Sequence, residues 1–420
     1  MSRSGSAAPA TVPLLTDFNP YTEAFRDDPY PEYRRIRELG GPVRWEYLDA
    51  YVVASHADAT AVLADPSIRV QPPAEVAEMM AAVIPPELMA MQGTLLFRDP
   101  PDHTRLRALT RRAFAPGALD GVLREASATA SRILDQAAAE GRLELVEDFA
   151  FPVSLQVIGD LLGLPREDLT QLRDWGQMMS PAADFPPSPA SVEEAMEAYI
   201  RFDEYFGRLA AHRRREPGND LFSDLVRAQV AGNLTAQELH ANAVLVFISG
   251  HETLVAFMAS AVLTFLRNPA QLDLLRHRPN LAASAVDEVL RYESPLQLAT
   301  AGGGRWTTTD VEIGDRVIPA GERVLTLVAA ANRDPAVYPD PDRFDITRRG
   351  YRHLALGHGL HYCLGAALAK LQGELVLQHL ADWPFDLAMA QSARWIPLFM
   401  QRRLVELPLT VTPKPRRDQV

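Results

Sequence analysis

The sequence predicts a mainly α fold with a smaller β portion, an α+β chain carried by a single domain over residues 17–420. Three observations predict it. Apolar residues recur at helical spacing over 29–41, 57–64, 119–139, 151–163, 191–215, 234–267 and 281–292. Strand-like patterning is confined to 43–55, to the stretch after Pro295 and to 384–412. No internal repeat and no linker divides the chain into two cores.

Taken in order, residues 1–16 are rich in Ser, Ala and Pro and read as a flexible tail. PYPEYRRIRELGG is an amphipathic helix closed by Gly40–Gly41. VRWEYLDAYVVAS reads as a hairpin around Asp49, and 57–64 returns to helix. Ile68–Phe97 is irregular, with many Pro and Met residues, so a long functional loop is expected there. DPPDHTRLRALTRRAF opens on Pro–Pro and continues as a basic helix. A second Pro-rich interruption, MMSPAADFPPSPAS, precedes the helix 191–215. Leu234–Arg267 is the longest candidate helix. Thr235 with Glu238 three residues on is a capping-box pattern, and Asn268–Pro269 closes it. Gly250 and polar neighbours interrupt its apolar middle, LVFISGHETL. A glycine there costs about 1 kcal/mol and marks strain or function. After 281–292 and Pro295 the chain becomes strand-like through to Ala331, with turns at Gly314 and Gly321.

Composition narrows the function. An apolar content of 47% and a charged content of 23% are ordinary for a globular protein. A chain of this length buries a large core. The net charge of −12 argues against nucleic acid as a main partner. One cysteine excludes an internal disulfide framework and suits a reducing cytoplasm. The N-terminal stretch has no apolar run of signal length, and the longest apolar run, 243–248, falls far short of the roughly 18 residues of a membrane span. No membrane anchor is expected. Basic charge is almost all Arg, with Lys only at 370 and 414, as a GC-rich bacterial genome would produce.

The lone thiol, Cys363, sits in HLALGHGLHYCLGAALAK, a Gly-rich loop that opens onto a helix. Free N–H groups and the positive end of a helix stabilise a thiolate. Three readings stay open on this chemistry alone. The thiol is a buried structural cysteine. Or HxxHxC is part of a zinc site, although a structural site needs four ligands. Or the thiolate is an axial ligand to haem iron, with backbone N–H groups tuning it.

Four further features bear on the choice. Glu288 and Arg291 lie three apart on one helix face, close enough to pair. Ser249–Gly250–His251–Glu252–Thr253 interrupts the long helix. His103 and Arg107 stand four apart on the basic helix, and NRDPAVYPDPDRFD, rich in Pro and Asp, precedes the Cys loop. Together with GHGLHYCLG, in this order, these motifs resemble the cytochrome P450 family of haem-thiolate monooxygenases, specifically the soluble bacterial, class I-like type. The resemblance runs from about Pro29 to Pro408.

The resemblance implies the cytochrome P450 fold, a single triangular-prism-like domain, and haem b (iron protoporphyrin IX) as cofactor. It makes Cys363 the metal ligand, with Leu356, Gly357 and Gly365 in the cofactor-binding loop. It assigns the haem propionates to His103, Arg107, Arg305 and His361. It makes Glu288 and Arg291 a structural pair that holds the meander near Asn332–Arg333. Glu252 and Thr253 match the family's acid–alcohol pair, which delivers protons to dioxygen at the iron. Gly250 is expected to open the helix so that dioxygen fits, and Thr253 also has the carbonyl of Ser249 within reach.

Three positions depart from the family pattern. Leu356 stands seven residues before Cys363, where the family has Phe. Ser249 replaces Ala and adds a hydroxyl at the distal face. LQLATAGGG, between Pro295 and Arg305, is longer than expected, and Gly302–Gly304 is a candidate bulge.

The resemblance places substrate at Met89, Met91, Leu95, Leu245, Ile248, Leu298, Ala299 and Phe399, a mainly apolar set suited to a hydrophobic, natural-product-like compound, free or carrier-bound. The chain has no room for a fused electron-transfer domain, so electrons come from a ferredoxin and ferredoxin reductase, with NAD(P)H as ultimate donor. Arg111, Arg112, Arg343, Arg348, Arg349 and Arg352 are candidates for a docking patch. The implied reaction is O2-dependent hydroxylation or epoxidation. The alternatives are oxidative coupling or desaturation on the same fold, and a non-catalytic haem- or carrier-binding recruitment module.

Overall fold

The computed structural model describes residues 12–184, 186–299 and 303–414. Its centre is the helix Ala236–Arg267, the long helix. It starts with the predicted capping box: Thr235 Oγ1 accepts from the Glu238 N–H at 3.0 Å, and the Glu238 carboxylate accepts from the Thr235 N–H at 2.9 Å. Twenty-one of its side chains are buried, from Leu239 to Phe265. Helices Pro116–Glu140, Phe151–Leu162, Leu169–Met179, Pro189–Arg215, Ala282–Tyr292 and Ala366–Asp382 surround it and share its main hydrophobic cluster. The long helix is also long and apolar enough to cross a membrane, which its short unbroken apolar run does not foretell. In this fold 72% of its most apolar window is buried inside the protein.

The β portion lies to one side. Six strands order as Leu14–Leu15, Val43–Trp45, Ala50–Val53, Arg323–Thr326, Arg305–Thr307 and Ile68–Arg69. The predicted hairpin is the second and third of these, registered Val43↔Val52 and Trp45↔Ala50, with Asp49 in the left-handed region at φ 47°. A three-stranded sheet joins Phe385–Met389, Pro408–Pro413 and Arg142–Glu144. Val311–Ile313 turns at Gly314 (φ 63°) into Arg316–Ile318.

Several expectations change. The tail predicted over 1–16 lies outside the described residues as far as residue 11. From Val12 the chain is placed, and Leu14–Leu15 pairs in parallel with Arg44–Trp45 because Leu15 is buried against the sheet core. Ile68–Phe97 is not a long loop: Ala74–Val83 and Pro86–Met89 are helices, followed by tight turns at Ala90–Gly93 and Leu95–Phe97. Its Ala, Glu and Met residues are good helix formers, and the prolines that signalled irregularity flank or start the helices. Val328–Ala331 is a short helix rather than the end of a strand. Of the candidate bulge, Gly302 lies outside the described residues, while Gly303 and Gly304 adopt φ 112° and 118°, which glycine alone tolerates.

A second hydrophobic cluster sits between the six-stranded sheet and the C-terminal segment. It gathers Phe18, Phe25, Tyr33, Trp45, Leu298 and Phe399. Phe399 is 0% exposed, and its ring centroid lies 5.8–5.9 Å from those of Trp45, Phe18 and Phe25 in edge-on arrangements. Two substrate assignments are thereby corrected. Phe399 and Leu298 are core residues of this cluster, so neither side chain is presented to a ligand. Phe399→Ala is therefore expected to lower stability by about 3–5 kcal/mol while leaving substrate-induced spectral shifts unchanged. Thermal unfolding and ligand titration measure the two separately.

Candidate active site

The site is assembled on a buried ion pair. Glu288 and Arg291, both at 2% side-chain exposure, meet in a forked contact at 2.7 and 2.8 Å. The remaining guanidinium N–H groups reach the carbonyls of Asn332 (3.0 Å), Pro341 (2.8 Å) and Arg343 (3.2 Å). All five donors of Arg291 are used, three of them on the Pro/Asp-rich meander. The meander answers by donating the Asp345 N–H to Glu288 at 2.9 Å. Asn332 then passes the constraint on: its side-chain oxygen accepts the Leu354 N–H at 2.7 Å, at the entrance to the Cys loop.

The loop wraps around Cys363 by local geometry. Gly357 (φ 73°) makes the turn that lets the Leu356 carbonyl accept the Cys363 N–H at 2.8 Å. Gly359 (φ 69°) lies so close to the helix His56–Ala64 that a Cβ would stand 2.4 Å from the Leu63 carbonyl. Gly365 is different. A Cβ there meets only Phe114 at an ordinary 3.7 Å, and its contribution is a backbone N–H to the Cys363 sulfur. The expectation of a thiol made acidic by the helix start is corrected: burial pushes the Cys363 thiol up, although the Gly365 N–H and the Arg107 charge pull the other way. Leu356 and Cys363 are both half-buried, and Leu356 packs against the main cluster.

Beside the thiol lies a cluster of cationic and imidazole groups. The rings of His103 and His361 are 4.3 Å apart, and none of their four nitrogens has a hydrogen-bond partner among the described residues. Among the described residues Arg305 reaches the Leu63 carbonyl at 3.3 Å, and Arg107 the Tyr362 carbonyl at 2.7 Å. All four groups are driven toward their neutral forms. Burial, then the charges of Arg305, His103 and Arg107, lower His361 to about 3. Burial lowers Arg305 to about 10, partly offset by Asp99, and burial also lowers His103 and Arg107. A cluster like this is stable only with an anion against it. The two propionates of a haem, next to a lone sulfur, fit this donor set.

The long helix supplies the second wall. Ser249 is exposed and Leu245, Ile248 and Thr253 are half-buried, although most of this helix between Leu239 and Phe265 is buried, so the packing leaves this stripe partly uncovered. The hydroxyls of Ser249 and Thr253 donate one turn back, to Leu245 O at 2.5 Å and Ser249 O at 2.9 Å. Gly250 plays another part than expected. A Cβ there would lie 2.4 Å from Ile158 Cδ1, so its missing side chain admits the helix Phe151–Leu162 rather than making room for a small molecule. Glu252 does not share the face of Thr253. It is 2% exposed, with Arg403 Nε at 3.3 Å and His251 Nε2 at 3.6 Å.

Of the remaining substrate candidates, Met89, Met91, Leu245, Ile248 and Ala299 are half-buried. Leu95 is buried in the main cluster, and its N–H is held by Asn242 at 3.0 Å. Met178 and Met179, which were not predicted, are half-buried against the same cluster. Their signal was the Met pair just before the Pro-rich interruption. Arg403 and His251 were also missed. The adjacent Arg402 and Arg403 in the apolar segment FMQRRLVELPL were the available sign, since charges in such a run need buried partners. Among the expected docking arginines, Arg348 is removed. It is spent on the carbonyls of Pro339 and Asp340 and on Glu288, whereas Arg111, Arg112, Arg343, Arg349 and Arg352 are exposed.

A thiol in a glycine-shaped loop, an anion-seeking cluster beside it and a hydroxyl-bearing, partly uncovered stripe on the central helix define a haem-thiolate oxidoreductase. Comparison with known proteins agrees. The sequence matches the family model for Cytochrome P450 over residues 88–382. It is 36% identical over 419 residues to the cytochrome P450 monooxygenase PikC of Streptomyces venezuelae, covering 97% of each chain. Among solved structures, CalO2 superposes with a TM-score of 0.88 at 33% identity, covering 96% of this chain and 100% of that one. P450BioI in complex with an acyl carrier protein ligated to hexadec-9Z-enoic acid superposes with a TM-score of 0.85 at 34% identity, covering 92% and 98%. The chain belongs to the cytochrome P450 family and has its fold. It is a P450 monooxygenase, an oxidoreductase that acts on paired donors and incorporates one oxygen atom.

The Gly250 contact makes a specific expectation. Gly250→Ala should destabilise the protein by about 1–3 kcal/mol through overpacking, and Ile158→Ala in the same chain should recover part of that loss. Thermal unfolding of the single and double variants measures the coupling, and strictly additive effects would exclude the contact.

Proposed function

We propose that this enzyme binds haem b (iron protoporphyrin IX) through Cys363 and hydroxylates or epoxidises a hydrophobic natural-product-like substrate in the cytoplasm, within one domain, with electrons passed from NAD(P)H through a ferredoxin reductase and a ferredoxin. The observation that carries the reading is the cluster of His103, Arg107, Arg305 and His361 beside the chain's single cysteine, with both imidazoles unpartnered among the described residues and each arginine reaching a backbone carbonyl. Haem, when bound, supplies dioxygen activation at its iron.

The chain's own residues divide the remaining work. Cys363 holds the metal, with the Gly365 N–H on its sulfur, in a loop whose shape Gly357 and Gly359 set. Arg107, Arg305, His103 and His361 hold the propionates by charge and hydrogen bonding. Ser249 and Thr253 have given their hydroxyl protons to helix carbonyls, so their lone pairs accept from a water and hold it on the half-exposed stripe. Glu252, whose carboxyl group lies off that stripe against Arg403, is the acid from which a proton is relayed to that water. Met89, Met91, Leu245 and Ile248, with Met178 and Met179, form a pliable apolar wall that excludes bulk water. The acyl-carrier complex of P450BioI supports a carrier-bound substrate as one form of this class. Arg111, Arg112, Arg343, Arg349 and Arg352 offer positive charge to an acidic electron donor.

Reduced, carbon-monoxide-treated protein is expected to show the absorbance characteristic of thiolate-ligated haem, and Cys363→Ser to lose it. A reduced wild-type protein without that band would refute the assignment. Product mass then separates insertion of one oxygen from loss of hydrogens. Thr253→Ala should lower the fraction of NAD(P)H that ends in product by about tenfold or more, read as product formed per reductant consumed. Unchanged coupling would remove Thr253 from proton delivery.

A further inference from the structure

Thr94 adjoins the apolar wall, and no sequence pattern announces it. It lies between the two tight turns Ala90–Gly93 and Leu95–Phe97. Its side chain is 0% exposed, and among the described residues its hydroxyl has no hydrogen-bond partner. Its backbone is fully used: the Thr94 N–H donates to the Met91 carbonyl at 3.0 Å, and the Thr94 carbonyl accepts from the Phe97 N–H at 3.1 Å. Thr94 caps the turn Leu95–Phe97 from an extended backbone (φ −82°, ψ 158°), where a threonine hydroxyl ordinarily accepts from an N–H of the turn. Here it makes no such bond. A buried hydroxyl without a partner costs stability that a valine of the same shape would keep.

Its neighbours fix where Thr94 stands. Asn242 on the long helix accepts the Leu95 N–H at 3.0 Å and donates to the carbonyls of Gly93 at 3.4 Å and Glu238 at 2.8 Å. The chain is thus clasped to the long helix on both sides of Thr94, and the amide protons of Asn242 are spent. Asn242, Leu245 and Ser249 follow at i, i+3 and i+7, on one helix face. Thr94 therefore marks one end of the stripe that carries Ser249 and Thr253. Seven residues at a rise of about 1.5 Å put that end roughly 10 Å along the helix from Ser249. Leu245 and Ile248 lie between. The charges at the Thr94 end are spent on one another. Arg105 meets Glu238 at 2.5 Å, Asp102 at 3.1 Å and the Asn233 carbonyl at 2.8 Å, and Glu238 also accepts the Thr235 N–H.

We propose that Thr94 is a specificity-determining residue: its hydroxyl donates to a neutral carbonyl oxygen (ketone, ester or amide) carried by the substrate at the end remote from the Ser249–Thr253 part of the stripe. The apolar body of the substrate then lies along Leu245 and Ile248. A carboxylate or an ammonium at the Thr94 end would give up its water and meet no free counter-ion, so charged analogues are rejected. A pure hydrocarbon would leave the hydroxyl without a partner, so it binds less tightly than a ketone of the same shape. The substrate class narrows from hydrophobic to hydrophobic with a neutral carbonyl. The inference rests on the apolar substrate wall of the reading above.

The test uses the holoenzyme as wild type, Thr94→Val and Thr94→Ser. The probes are methyl decyl ketone, the alkene in which a methylene group replaces its carbonyl oxygen, and laurate. Binding is read from the absorbance shift of the haem on titration, and stability from thermal unfolding without ligand. Wild type should bind the ketone about five- to tenfold more tightly than the alkene, the range of one hydrogen bond, and laurate most weakly. Thr94→Val should bind ketone and alkene alike while its Tm holds or rises, because valine removes the unpaired hydroxyl. Thr94→Ser should keep the preference. If wild type binds ketone and alkene equally, or Thr94→Val keeps the preference, the inference fails and the apolar wall stands. A Tm lowered in Thr94→Val with the preference intact makes the hydroxyl a structural group that holds a buried water. Laurate bound as tightly as the ketone also overturns the inference. If neither neutral probe shifts the spectrum, the apolar wall falls with it.

Discussion

The buried pair of Glu288 and Arg291 is the constraint on which the site depends. Taking a guanidinium and a carboxylate out of water costs several kcal/mol per ion unless every donor and acceptor is used. Here every Arg291 N–H is used, and three of them bind meander carbonyls 41 to 52 residues away in sequence. Only a planar fork with five donors spans the Glu288 carboxylate and three separate carbonyls at once. The meander's path is therefore set by where those carbonyls must lie. Asn332 carries the restraint into Leu354, and the Leu356 carbonyl carries it to Cys363. A segment without regular secondary structure thus delivers the sulfur to a defined place.

A second constraint is electrostatic and works in the opposite sense. His103, Arg107, Arg305 and His361 crowd positive charge into a partly buried corner with little to balance it, Asp99 aside. Each pKa unit of depression corresponds to about 1.4 kcal/mol of disfavoured charge. The fold carries that cost in its own packing, and a dianionic ligand offsets it. The apolar wall of Met and Leu residues contributes no such specificity. In the proposed function the corner, not the wall, selects the cofactor.

Motifs whose meaning is local were readable in the chain. The Thr235–Glu238 capping box, the hairpin at Asp49 and the Glu288–Arg291 spacing each depend on residues a few positions apart, and each forms as the spacing requires. The same reasoning went wrong where a residue's partner lies far away. Gly250 looked like space for a small molecule, because a helix break has no visible partner in sequence, yet it packs on Ile158. Phe399 and Leu298 looked like pocket lining, yet they close an aromatic cluster with Phe18, Phe25 and Trp45. Ile68–Phe97 looked irregular because its prolines were weighed above its helix formers.

By itself, then, the sequence determined the class of chemistry: one thiol, its glycine-shaped loop, the paired ions and the hydroxyl-bearing interruption of the apolar pattern in the longest helix are all short-range patterns with short-range physical causes. Tertiary structure alone decided which face each side chain presents. It turned Glu252 toward Arg403 and away from Thr253, brought His103 to within 4.3 Å of His361, and consumed Arg348 in the meander. The physical reason is that burial and charge pairing are properties of neighbours in space: Arg403 stands 151 residues after Glu252, and the order of the residues shows that this arginine needs a buried partner but not which one.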